Sequence, residues 1–362
     1  TPSNSSAASD VYKRQIIYRS CDLLVVTILK AMVLYKQEPI ENNPLIYSDI
    51  DRSEPGHGEV LLRIRYCGVC RTDLHIVEGD LRPIKLPIIP GHQVVATVEE
   101  VGEGVQEIRK GDRAGVPWLY WSCGRCKYCR RGLENLCDNA LFTGYSVDGG
   151  YAEYMVAKAD FVYPIPDFFD DCHAAPLLCG GAIGYRALRL TGLLERGEGS
   201  LGLFGFGSSA HMIIQVAINK GLDVYVFTRG EQRQEHALQL GAKWAGKPTD
   251  ESPIKLDAAI VFAPAGWVFI EALKKLDKGG RVVLAGIYMS PVEKLEYSLL
   301  WLEREVKSVA NVTREDVREF LKEAAQAGVR TEITIYDLKD ANKALQDLKH
   351  GKLKGSAVLK II

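Results

Sequence analysis

From Ser200 to about Val312 the chain alternates short apolar runs with stretches of helical period, and this alternation limits the fold more than any other feature. "SLGLFGFG", "SAHMIIQVAINKG", "LDVYVFTR", "EQRQEHALQLGA", "LDAAIVFAP", "VFIEALKKL", "GRVVLAG" and "EVKSVANV" follow one another in that order. Strands separated by helices do not pair as hairpins; they form a parallel sheet whose faces the helices cover. From Lys30 to about Leu178 the rhythm differs. Segments such as "EVLLRIRYCG" and "HQVVATVEEVG" are short, alternating and punctuated by Gly and Pro, which predicts a mostly β domain. The closing "REDVREFLKEAAQAG", "TEITIYDL" and "SAVLKII" return to mixed elements and are expected to complete that domain. The reading is α/β, with one domain over 30–178 and 313–362 and a second over 179–312.

Residues 1–29 stand apart as a leader outside the fold. "TPSNSSAASDVYKRQ" is rich in Ser and Ala and has no hydrophobic period. The apolar run that starts at Leu23 meets Lys30 far short of a membrane span, and no small-residue cleavage site follows it, which argues against a signal peptide.

Hydrophobic residues make up 47% of the 362, charged residues 25%, and the net charge is -1. That balance describes a soluble globular protein and gives no electrostatic reason for a nucleic-acid or membrane partner. Five of the nine cysteines (Cys67, Cys70, Cys123, Cys126 and Cys129) fall in Cys-x-x-Cys spacings. Such spacings favour metal binding in a reducing compartment, the cytoplasm, over a disulfide framework.

"CGRCKYCRRGLENLC" brings Cys123, Cys126, Cys129 and Cys137 into one short loop, with two, two and seven residues between them. Four thiolates so spaced can converge on one tetrahedral ion, and zinc suits them because it imposes no d-electron geometry and no redox chemistry. An iron-sulfur cluster takes the same ligands, although the ferredoxin spacing is incomplete; disulfides and free core thiols are the remaining readings. A closed four-thiolate site has no open position, so chemistry must lie elsewhere.

Gly205, Gly207 and Ala210 form a Gly-x-Gly-x-x-Ala turn between the strand-like "SLGLF" and the helix-like "HMIIQVAINKG". That context marks a dinucleotide site: a tight turn at Gly205, close approach of the pyrophosphate at Gly207, and a helix held near the sheet by Ala210. Cys70, His92 and Cys179, in "YCGVCRTDLH", "PIIPGHQVVATVEEVGEGV" and "HAAPLLCGG", are far apart in sequence. Taken singly, each could be a metal ligand or an ordinary core residue, and Cys67 with Cys70 could also be a redox dithiol.

Taken together and in order, "CGVCRTDLH", "GHQVVATVEEVGEGV", "CGRCKYCRRGLENLC" and "LLCGG" resemble the zinc-dependent medium-chain alcohol dehydrogenases. The resemblance runs from Lys30 to Ile362. It implies a Rossmann-type doubly wound parallel sheet for the cofactor beside a mostly β, GroES-like catalytic domain. It also implies two Zn2+ per chain, one held by Cys70, His92 and Cys179 with a position open to alcohol, the other by the four-cysteine lobe. Carried over residue by residue, Thr72 takes the alcohol proton, His75 passes it to solvent, Asp73 orients His92, Arg71 lies against the cofactor pyrophosphate, and Trp118 lines the substrate pocket. Gln93 departs from the pattern, since Glu usually follows the ligand histidine.

The implied activity is reversible oxidation of primary or secondary alcohols to aldehydes or ketones, with hydride passing to NAD(P), in a homodimer or homotetramer. Alternatives are a catalytically silent nucleotide-binding scaffold or redox sensor, and a polyol or aromatic-alcohol dehydrogenase of the same superfamily. NAD-specific relatives end the second strand with an acid that binds the adenosine ribose. Here Thr228 and Arg229 stand there, with Arg233 beyond and Glu231 diluting the charge, so NADP is expected in preference to NAD.

Overall fold

The computed structural model describes residues 27–81, 85–292 and 294–362. The expected leader falls almost wholly on residues 1–26, outside the described residues, and the first strand, Ile28–Leu34, begins just before Lys30. Among the described residues no helix is long and apolar enough to cross a membrane.

The alternation after Ser200 builds a six-stranded parallel sheet in the spatial order Trp244–Gly246, Asp223–Phe227, Ser200–Phe204, Leu256–Val261, Leu276–Leu284, Glu305–Ser308. In chain order this is the doubly wound pattern 3-2-1-4-5-6, and the winding reverses beside Ser200–Phe204. All five residues of that strand are buried, because helices cover both faces of the sheet. At its carboxyl end, the position at which doubly wound sheets open a crevice, Gly205–Gly207 leads into the helix Ser208–Asn219, the fingerprint helix.

The other large sheet is mixed and seven-stranded. Its main order is Ile333–Asp337, Ser356–Lys360, Glu59–Val69, Val94–Val101, Arg113–Val116, Tyr163–Pro164, and Tyr154–Lys158 pairs with the long central Glu59–Val69. The last two strands of the chain thus lie in the sheet of the first domain. Between them and the parallel sheet runs the helix Arg314–Gln326, assigned from sequence to the first domain. It buries Val317, Phe320, Leu321 and Ala324 in the core that also holds the fingerprint helix. Its buried Asp316 accepts hydrogen bonds from Arg186 at 2.6 Å and Arg189 at 2.9 Å on the helix Gly180–Thr191, which fixes it there.

Candidate active site

Strand register assembles the first cluster. Glu59–Val69 runs antiparallel to Val94–Val101 with Cys67 opposite Val94, so the exit toward Cys70 and the approach from His92 meet at one end of the sheet. The Gly68 amide donates to the Gln93 carbonyl at 2.9 Å and fastens that end. Cys179 arrives from the other side, at the start of Gly180–Thr191. That helix lies so close to the fingerprint helix that a Cβ on Gly184 would stand 2.3 Å from Ile213. The ligand atoms of Cys70, His92 and Cys179 all lie within 4.8 Å of one another.

Asp73 orders this cluster from behind. It is fully buried, and its carboxylate accepts from the Cys70 amide at 2.8 Å, the Gly91 amide at 3.2 Å, His92 Nδ1 at 2.9 Å and the Tyr151 hydroxyl at 3.1 Å. With Nδ1 donating to Asp73, His92 turns Nε2 toward the two thiols, and among the described residues that buried atom has no hydrogen-bond partner. Gly91 permits the approach: its φ is +101°, and a Cβ there would come within 2.4 Å of the Tyr151 ring. Burial by itself lowers the His92 pKa, but the Asp73 carboxylate and Cys70 outweigh it and raise it to about 10. The Cys179 contact holds the Cys70 thiol well below the usual range, while Cys179 itself is pushed up. A buried orphan imidazole nitrogen between two thiols, in a field that attracts positive charge, fits a divalent cation such as zinc.

The second cluster also fits a metal. The sulfurs of Cys123, Cys126, Cys129 and Cys137 lie within 4.8 Å of one another, with Cys126 to Cys129 at 3.5 Å and Cys123 to Cys129 at 3.9 Å. These separations are too long for disulfides; four thiolates about 2.3 Å from one tetrahedral ion stand about 3.8 Å apart. Loop amides already point at the sulfurs, Cys126 N to Cys123 Sγ at 3.4 Å and Cys129 N to Cys126 Sγ at 3.5 Å. The backbone amides of Arg125 and Cys126 draw the Cys123 thiol down to about 6. Cys67 belongs to neither cluster: it is fully buried and burial pushes its thiol well up, the environment of an inert core cysteine.

Thr72 is buried, with its hydroxyl 3.8 Å from Cys70 Sγ. His75, one turn along the helix Arg71–Glu78, bonds through Nδ1 to Asp80 at 2.7 Å, and Asp80 faces solvent. Arg71 is exposed at the start of that helix. Trp118 meets the His92 ring edge-on at 4.9 Å and stacks on Phe142 at 5.2 Å and Tyr145 at 5.7 Å. Sequence reasoning missed Asp80, Tyr151, Phe142 and Tyr145. Only Asp80 left a signal: Gly79, with φ +91°, is a helix stop that turns the chain back beside His75.

At the parallel sheet, Gly205 has φ +94° and its amide donates to the Phe227 carbonyl at 2.8 Å. Among the described residues no atom lies within 4 Å of a Cβ built on Gly207, so space stays open before the amino end of the fingerprint helix, while Ala210 is buried beneath it. That is room a pyrophosphate needs. Thr228 is buried at the end of Asp223–Phe227, and its amide donates to the Gly246 carbonyl at 2.8 Å. Arg229 and Arg233 are exposed.

The family description "Alcohol dehydrogenase GroES-like domain" matches residues 56–167, and "Zinc-binding dehydrogenase" matches 210–326. The probable alcohol dehydrogenase AdhA of Mycobacterium tuberculosis is 44% identical over 339 residues, 92% of this chain and 97% of that protein. The chain belongs to the zinc-dependent medium-chain dehydrogenase/reductase family. Among solved structures, the dehydrogenase resembles CAD from Helicobacter pylori complexed with NADP(H), with a TM-score of 0.81, 26% identity and coverage of 92% of this chain and 98% of that one. It also resembles acetophenone reductase from Geotrichum candidum in complex with NAD, with a TM-score of 0.80, 26% identity and coverage of 92% and 97%. The dehydrogenase is thus a zinc-dependent, NAD(P)-linked alcohol dehydrogenase with the two-domain fold of its family, and its substrate is a small molecule. The silent-scaffold and redox-sensor readings fall away.

Proposed function

We propose that this enzyme oxidises primary or secondary alcohols at the Cys70, His92 and Cys179 centre and prefers NADP over NAD. The observation that carries the centre is the buried, unpartnered His92 Nε2 facing two thiols. Zinc bound there supplies Lewis acidity at an open position, and the nicotinamide ring supplies the hydride acceptor. Asp73 holds the His92 ring so that Nε2 stays directed at the centre. Thr72 takes the proton of the alcohol hydroxyl, and His75, joined to the solvent-facing Asp80, passes it to water. Arg71 meets the cofactor pyrophosphate as a cation at a helix start. Cys123, Cys126, Cys129 and Cys137 hold a second zinc that fixes their loop, giving two per chain.

NADP preference rests on the missing acid after Phe227 and on the exposed Arg229, whose planar fork suits a 2′-phosphate. The buried Thr228 shapes the turn that presents it. Trp118 limits the pocket to small alcohols. A second reading, an aromatic alcohol, draws support from the stacked Trp118, Phe142 and Tyr145, which could receive a flat ring. The strand Glu305–Ser308 ends the parallel sheet with an open edge near exposed Tyr297 and Trp301, and a second copy of the chain in a homodimer or homotetramer would cover it. The thiolate clusters need reduced cysteines, which supports a cytoplasmic setting. Initial rates over aliphatic, aromatic and polyol substrates with each cofactor test the proposal. Small aliphatic alcohols with NADP are expected to lead; activity confined to polyols with NAD would contradict it.

A further inference from the structure

The fingerprint helix carries polar residues that neither the metal centre nor the proton path uses. Ser208, His211 and Gln215 recur at intervals of three and four and so share one face, and His211 is buried together with Ala210, Met212, Ile213, Ile214, Val216 and Ala217. All three polar side chains reach the zinc domain. Ser208 Oγ lies 2.5 Å from Ser356 Oγ at the head of Ser356–Lys360. Gln215 donates to the Arg330 carbonyl at 3.0 Å and accepts from the Arg330 amide at 2.9 Å. His211 Nε2 accepts from the Glu332 amide at 3.3 Å. Residues 330–332 enter the strand Ile333–Asp337, the neighbour of Ser356–Lys360, so the three contacts grip one corner of one sheet.

His211 differs from the other two in what its second nitrogen does. Nδ1 donates to the Gly207 carbonyl at 3.3 Å, so one ring joins the dinucleotide turn to the backbone of the other domain. Both bonds require a neutral ring protonated on Nδ1, since a second proton would set two donors against each other at Glu332. Burial pushes the His211 pKa down to about 4, which keeps the ring neutral. The charged groups that face it are His236, with ring centroids 6.2 Å apart, and Glu332, whose carboxylate lies 3.5 Å from His236 Nε2 and 3.4 Å from Lys354 Nζ.

We propose that His211 is a positioning residue of the reaction: with Ser208 and Gln215 it clasps the dinucleotide turn to the domain that carries the zinc ligands, and so sets the alignment of bound cofactor with the metal centre. The inference rests on the placement of the cofactor at Gly205–Gly207. Hydrogen bonds of this kind change an equilibrium about fivefold each.

The test is fluorescence titration of zinc-replete enzyme with NADPH and with NADH, together with kcat and the alcohol KM at saturating cofactor. His211→Leu is expected to raise both cofactor dissociation constants about tenfold or more and to lower kcat, with zinc content and alcohol KM unchanged. His211→Asn retains the donor to Gly207 and His211→Gln the acceptor for Glu332; each is expected to recover part of the loss. A purely structural role would lower the melting temperature without moving cofactor affinity, and that result overturns the clasp. Should His211→Leu not fold, wild-type cofactor affinity in both the Asn and Gln variants overturns it equally. Gly207→Val separates the two claims, because its Cβ meets no atom of the described residues. If it binds cofactor normally, the placement at the turn fails; if it alone loses affinity while the His211 variants do not, the clasp fails and the placement stands.

Discussion

Asp73 and His92, 19 residues apart in sequence, meet in a 2.9 Å hydrogen bond between two fully buried side chains. The carboxylate also bonds the Cys70 amide, so it fixes two of the three residues of the Cys70, His92 and Cys179 cluster at once. Asp73→Asn keeps the size but offers one accepting oxygen where four donors now converge. Zinc affinity at this centre should fall roughly ten- to a hundredfold, measured by chelator competition. Unchanged affinity would remove Asp73 from the orienting role.

His75→Ala should slow alcohol oxidation roughly ten- to a hundredfold near neutral pH and less at high pH, where hydroxide takes the proton. Cofactor and zinc binding should hardly change. Asp80→Asn should give a milder loss with the same pH trend, because Asp80 touches only the outer side of the ring. A loss equal at every pH would assign His75 a positional role in place of a relay.

The Asp80 contact also marks where sequence stops being informative. The doubly wound sheet is legible because burial on both faces writes long apolar runs, and the four-cysteine cluster because cysteines at loop spacing have few other uses, whereas Cys70, His92 and Cys179 come together in the sequence only through the family resemblance. The antiparallel pairing of Glu59–Val69 with Val94–Val101 brings Cys70 and His92 to the same end of the sheet, and Cys179 lies within 4.8 Å of both. Tyr151 reaching Asp73 across 78 residues, or Tyr145 stacking on Trp118, are single long-range pairings with no period and no spacing to read. The helix Arg314–Gln326 follows the first domain in chain order, and its packing adds what no sequence period shows: the buried Asp316 pairs with Arg186 and Arg189 on Gly180–Thr191.

Cofactor choice gives a quantitative test. Arg229→Ala should reduce kcat/KM for NADP roughly ten- to a hundredfold, the worth of one charge-assisted phosphate contact, and leave NAD nearly untouched. Steady-state kinetics with both cofactors measures it. A wild-type enzyme more efficient with NAD would overturn the NADP preference and leave the metal chemistry intact.

His211 makes stability depend on pH. Its pKa is about 4 in the fold, and an unfolded histidine titrates near 6.5, so the unfolded chain binds more protons between those values. The contribution is fully present above about pH 6.5 and is lost as pH falls toward 4, about 2 kcal/mol by pH 5. His211→Gln should therefore lose less melting temperature than wild type between pH 7 and pH 5. Parallel curves would show that the buried ring does not govern this window.

The Cys70, His92 and Cys179 cluster is proposed as an open catalytic metal site and the four-cysteine cluster as a closed structural one. Metal analysis of purified wild type, Cys70→Ala and Cys126→Ala, paired with turnover and melting temperature, tests it most directly. Wild type should hold two zinc ions per chain. Cys70→Ala should keep the structural ion and a near-native melting temperature without turnover, and Cys126→Ala should lose chiefly stability. Fully active wild-type protein with one zinc or none, or a Cys70→Ala enzyme that still turns over, would contradict it.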